Sequence, residues 1–111
     1  MARYLIDQGY RVIPVNPGLS EVLGQKSYPD LGSIPANISI DIVDIFRKSE
    51  HVPPIVEEAL RRGRPAIWMQ LGVSHPIAAS LARESGVPVF EDLCIMQQHR
   101  RLRLPRRPPQ G

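Results

Sequence analysis

The chain has 111 residues, 42% of them apolar and 23% charged, which suits one domain with a modest core and no membrane span or signal peptide, so the cytoplasm is the expected compartment. A single cysteine, Cys94, excludes an internal disulfide, and His51, His75 and His99 are too scattered to give metal-ligand spacing. Fourteen Lys and Arg against eleven Asp and Glu make +3, but Arg100, Arg101, Arg103, Arg106 and Arg107 supply five positives, leaving residues 1–99 at nine against eleven, or −2; that near-neutral body excludes a broad nucleic-acid-binding face.

The first residues, Met1–Gln8, read as a helix with Ala2, Leu5 and Ile6 on one face. Gly9 is placed to stop it in a left-handed conformation, and no capping residue precedes it. Tyr10–Val15 (YRVIPV) reads as a strand ended by Asn16-Pro17-Gly18, since proline cannot continue a ladder. Glu21–Gly24 is expected to form a helical turn, Ser27–Pro29 a short extended piece, and Asp30–Ile34 a further turn capped by Asp30.

Asp41–Phe46 (DIVDIF) is an apolar run broken only by Asp44, the pattern of a strand buried on both faces. A helix starts near Glu50–Pro53, where proline in the first turn does little harm. Val52, Ile55, Val56, Ala59 and Leu60 form its apolar stripe, Glu57, Glu58, Arg61 and Arg62 its solvated face, and Gly63 its stop. Ala66–Leu71 (AIWMQL) is the next strand. Ser74 is expected to cap a helix with Ile77, Ala78, Leu81 and Ala82 inward and Gly86 as its stop. Val87–Phe90 is the last strand, ended by Glu91-Asp92, and Asp92 is expected to cap a helix from about Leu93 to Leu102. The Pro/Arg-rich residues 103–111 read as a disordered tail.

Strands alternating with helices predict a parallel sheet, because parallel neighbours need long crossovers. In such sheets ligands bind beyond the carboxyl ends of the strands, so the polar groups ending each run mark the expected site. No serine-nucleophile motif, carboxylate pair or phosphate-binding glycine loop is present, so no catalytic role is expected. Asp41 belongs at a strand entrance, and Asp44 reads as a partly buried carboxylate with a structural hydrogen bond. Cys94 admits two readings, a buried structural thiol or one activated at a helix N-terminus. His99 with Arg100 and Arg101 reads as packing or an interface.

The ordered strings MARYL, GYRVIPVNP, EVLGQKSYPDL, DIVDIFR, IWMQLGV and C-x-x-x-x-HRRL resemble the stand-alone CoA-binding domain proteins, which are similar to the CoA-binding domain of the succinyl-CoA synthetase α subunit. The resemblance runs from Ala2 to about Leu102. It implies an α/β, Rossmann-like three-layer domain over residues 1–102 with a mostly parallel sheet, and coenzyme A or an acyl-CoA as ligand. Residue by residue, it implies that Asn16 and Pro17 lie against the nucleotide, that Phe46 supplies a wall and Arg47 a charge, and that Gln70, Leu71 and Gly72 border the pantetheine path. Arg47 suits a bidentate phosphate contact, Lys26 is a further phosphate candidate, and Gly72 lets a ligand approach the backbone. Structural readings stand beside these: an ordinary turn at Asn16-Pro17, a solvated strand end at Arg47, and at Gln70 an amide satisfying a neighbouring backbone group.

The family also opens with a further central strand and a loop of the type GAS-x-x-x-x-P, neither of which is in this sequence. Two expectations follow. Either the chain is N-terminally truncated relative to the family, or its remaining strands close up with weak or no CoA affinity. The expected function is non-catalytic CoA or acyl-CoA binding; the alternative is a subunit or fragment of an acyl-CoA ligase. A homodimer through the last helix is compatible with the pattern, and neither a membrane nor a specific nucleic acid is an expected partner.

Overall fold

The computed structural model describes residues 2–16, 18–22 and 24–102. The expected tail, residues 103–111, lies outside them. Chain contacts divide the protein into two compact units: Met1–Ser33 with Met96–Gly111, and Ile34–Ile95. Among the described residues no helix is long and apolar enough to cross a membrane.

In the first unit, α1 spans Ala2–Asp7. Gly9 follows at φ 90°, the left-handed stop expected of a glycine just past a helix. Tyr10–Val15 is not a strand. Only Val15 bridges, in parallel, to Tyr28, with Asn16 N–H donating to the Tyr28 carbonyl at 2.8 Å and Tyr28 N–H to that of Pro14 at 3.1 Å. An extended run becomes a strand only where a neighbour ladders along it, and Pro14 has no N–H to offer. The helical turn expected at Glu21–Gly24 is instead an antiparallel hairpin: β1 (Glu21–Val22) pairs with β2 (Gln25–Lys26). Gly24, at φ 76°, closes the reversal. Asp30 caps as expected, its Oδ1 accepting from Ser33 N–H at 2.8 Å and Ser33 Oγ at 2.7 Å, at the short 3₁₀ turn Leu31–Ser33. His99 is buried, bonded through Nδ1 to the Tyr4 hydroxyl at 2.8 Å and met edge-on by the rings of Tyr4 and Tyr10. The packing role expected for it is therefore realised.

The second unit is the α/β part. Strands β3 (Ile42–Ile45), β4 (Ala66–Met69) and β5 (Val89–Phe90) form a parallel sheet in that order. The helices α2 (Val52–Arg61) and α3 (Pro76–Glu84) make the two crossovers. Sequential parallel strands joined by right-handed crossovers place both helices on one face, and α2 and α3 pack against each other. The core beneath them is built from Ile45, Ile67 and Met69 of the sheet, Val52, Val56 and Ala59 of α2, and Ala78, Ala79 and Ala82 of α3, all buried.

Four expectations change here. β3 is not buried on both faces: Val43 and Ile45 are buried, whereas Ile42 is 45% exposed. The cause is the alternation of side chains along the strand: Val43 and Ile45 point under α2 and α3, whereas Ile42 and Asp44 point to the opposite face. The apolar face of α3 is rotated from the one expected, with Ala78, Ala79 and Ala82 inward and Ile77 80% exposed. Small residues let the helix axes of α2 and α3 approach closely. The cap of α3 is His75, whose Nδ1 accepts from Ala78 N–H at 3.2 Å, because Ser74 is drawn to Glu91 instead. Finally, Asp92 does not cap the last helix, α4 (Ile95–Leu102); Gln70 does, its Oε1 accepting from Ile95 N–H at 3.3 Å.

Candidate functional site

The carboxyl ends of β3 and β4 lie side by side because Ile45 pairs with Met69 in the parallel register. The residues that follow are therefore neighbours by construction: Phe46 and Arg47 after β3, Gln70, Leu71 and Gly72 after β4. Phe46 and Leu71 are exposed, at 55% and 66%, and form two apolar lips at the strand tips. Arg47 and Lys48 are exposed beside them. Gly72 has φ 85°, and a Cβ built there would meet nothing within 4 Å. Its backbone face is open to an approaching ligand.

Gln70 is buried and fully engaged. Its Nε2 donates to Asp44 Oδ1 on β3, and its Oε1 accepts from Ile95 N–H at the start of α4. The backbone-satisfying role left open at this position is thus present, and it ties three elements together. Asp44 matches its expected structural bond, while its Oδ2 is buried with no hydrogen-bond partner. Burial pushes the Asp44 carboxyl up from 3.8 to about 6, against the hydrogen bond from Gln70, which lowers it. Cys94 is buried, in keeping with the structural reading of its thiol.

The loop after β4 is held from β5. Gly72 N–H donates to Asp92 Oδ1 at 2.6 Å, and Glu91 Oε1 accepts from both Ser74 Oγ at 3.0 Å and His75 N–H at 3.1 Å. Ser74 N–H donates to Ser49 Oγ at 3.0 Å. Arg83 reaches Glu91 Oε2 at 3.5 Å from α3. Asp92 adopts φ 55°, a conformation that Asp tolerates better than most residues. Sequence reasoning saw Glu91 and Asp92 only as a strand terminator and a cap. Their position at the same strand-end level as Gly72 was the available signal. Trp68 and Phe90, cross-strand partners, stack with ring centroids 4.6 Å apart, and Trp68 Nε1 donates to the Leu93 carbonyl at 2.7 Å. These contacts anchor the chain just beyond β5.

Asn16 and Lys26 belong to the first unit. Asn16 Oδ1 accepts from Gly18 N–H at 2.9 Å, so its turn is self-supporting, and Pro17 lies outside the described residues. Lys26 is exposed on β2, with Nζ 5.2 Å from the Tyr28 ring centroid. Among the described residues no group of three or more His, Cys, Asp or Glu could hold a metal ion.

A parallel α/β unit with polar residues gathered at its strand tips belongs to the class of open-sheet domains in which ligands bind beyond the carboxyl ends of the strands. Residues 1–100 match the CoA binding domain family, and the chain belongs to that family. It is 39% identical over 99 residues to the uncharacterized protein YneT of Bacillus subtilis (strain 168), covering 89% of this chain and 72% of that one. Among solved structures, a hypothetical protein from Pyrococcus horikoshii OT3 is similar with a TM-score of 0.87 and 37% identity over 93% of this chain and 71% of its own. A protein from Thermus thermophilus is similar with a TM-score of 0.84 and 38% identity, over 91% and 75% respectively.

Proposed function

We propose that the chain binds coenzyme A or an acyl-CoA without transforming it. Phe46, Arg47, Leu71 and Gly72 would meet the ligand directly, and Gln70 would hold the strand end in place. The observation that carries this reading is the juxtaposition of the β3 and β4 tips, which sets a cation, two exposed apolar side chains and an open glycine backbone at one edge of a parallel sheet. Such a set suits a ligand with anionic phosphates at one end and an uncharged flexible arm at the other.

Titration calorimetry with CoA and acetyl-CoA tests the proposal. Saturable binding is expected, weakened about tenfold by Arg47→Ala, the scale of one charge-assisted phosphate contact. The acyl-CoA should also be recovered intact after prolonged incubation. Absence of binding to either ligand would refute the binding role, and thioester loss that depends on the protein would refute the non-catalytic one.

A further inference from the structure

We infer that Glu91 and Asp92 make the strand-tip edge selective for CoA and uncharged acyl thioesters over thioesters of dicarboxylic acids. The inference rests on the CoA-binding reading above and names the ligand class within it.

The three strand tips lie in the order β3, β4, β5, and their charge changes sign along that order. Beyond β3 stand Arg47 and Lys48, both exposed, with Glu50 turned toward His51 at 3.8 Å. Beyond β4 come Leu71 and Gly72, which carry no charge. Beyond β5 stand Glu91 and Asp92. Arg83 partly offsets Glu91, but no cation pairs with Asp92 among the described residues, and Asp92 is exposed.

These two carboxylates also occupy the donors that an anion would need here. The backbone N–H groups of Gly72 and His75 are taken by Asp92 and Glu91, and that of Ser74 by Ser49. The stretch leading into α3 would otherwise attract anions through its amides and the helix dipole. Filled from within by carboxylates, it repels them.

A linear ligand therefore has one favourable direction across the edge. Its phosphates belong at the β3 tip, its neutral arm over Leu71 and Gly72, and its far end near β5. Adjacent strands lie about 4.8 Å apart, so β3 to β5 is a crossing of roughly 10 Å, which a pantetheine arm can span. A free thiol or acetyl group arriving there meets no electrostatic penalty. A terminal carboxylate meets two like charges, and the Gly72, Ser74 and His75 amides are already taken.

The test compares CoA, acetyl-CoA and succinyl-CoA by titration calorimetry, with wild-type protein and with the Glu91→Gln/Asp92→Asn double variant, at low and high ionic strength. Both substitutions keep an acceptor for the same N–H groups, and asparagine accepts the left-handed backbone at position 92. The expected result is succinyl-CoA binding about threefold to tenfold weaker than acetyl-CoA at low salt, the size of one or two solvent-exposed like-charge contacts. The gap should shrink in about 0.5 M salt, where screening shortens to a few ångströms, and close in the double variant. Equal wild-type affinities, or a gap that survives both salt and the double substitution, would overturn the inference while leaving CoA binding intact. If the double variant fails to fold, the wild-type salt series decides alone. If none of the three thioesters binds, the CoA-binding reading falls and the selectivity with it.

Discussion

Asp44 is the residue whose chemistry and stability are most directly linked. Its folded-state carboxyl titrates near 6 rather than 3.8 because burial disfavours the charged form. Between those values the folded protein binds the proton more tightly than the unfolded chain does. Stability from this group is therefore full below about pH 4 and is lost as pH rises toward 6. The rise from 3.8 to about 6 corresponds to at most about 3 kcal/mol, less whatever solvent screens at the exposed part of the group. Asp44→Asn keeps an acceptor for Gln70 and removes the buried charge, so the unfolding free energy from denaturant titration should rise at pH 7.5 by about 1–2 kcal/mol. The decline between pH 4 and 6 should also flatten. A variant less stable than wild type, with its pH slope unchanged, would show that Asp44 is not the group responsible. Asp44 was legible in the sequence as a partly buried carboxylate, because a lone acid in an apolar run needs a partner. That the partner is Gln70 was not, since the two are joined only by the β3–β4 register.

Among the elements, the start of α4 shows how a strand end can serve as a helix cap. Gln70 accepts from Ile95 N–H while donating to Asp44, a role expected of Asp92 from its local position. Asp92 is diverted to Gly72. Gln70→Leu should leave a buried carboxylate and a helix N–H unpaired, and lower stability by about 2–4 kcal/mol, measured by chemical denaturation. Asp92→Ala should cost about 1 kcal/mol and leave α4 helicity by circular dichroism unchanged, because it does not cap that helix. On α3 the stop at Gly86 and the inward Ala78 and Ala82 were legible, but the rest of its face was not. Hydrophobicity added Ile77 and Leu81 to that face, whereas the buried set is Ala78, Ala79 and Ala82. The hairpin of β1 and β2 was missed for a related reason: two residues per strand carry no periodicity to read.

For the whole molecule, the direction of the ladder makes a parity prediction. Asp41 and Ile45 carbonyls accept from Ala66 and Gln70 N–H, so in the parallel register Val43 turns its N–H toward β4 and Ile42 turns its own away. Val43→Pro should cost about 3 kcal/mol or more, and Ile42→Pro clearly less, by denaturant midpoint; equal losses would contradict the register. Composition, apolar periodicity and turn residues by themselves determined an α/β chain, the approximate limits of β3, β4, α2, α3 and α4, and the polar groups that end the strands. Those are local properties, set by side-chain spacing and by what Gly and Pro permit. Tertiary structure alone decided that Tyr10–Val15 would not ladder, that β3 would keep one half-exposed face, and that Glu91 and Asp92 would close over the loop after β4. Each of those outcomes depends on which backbone groups find partners across space, a matter of register and neighbours that no local pattern encodes.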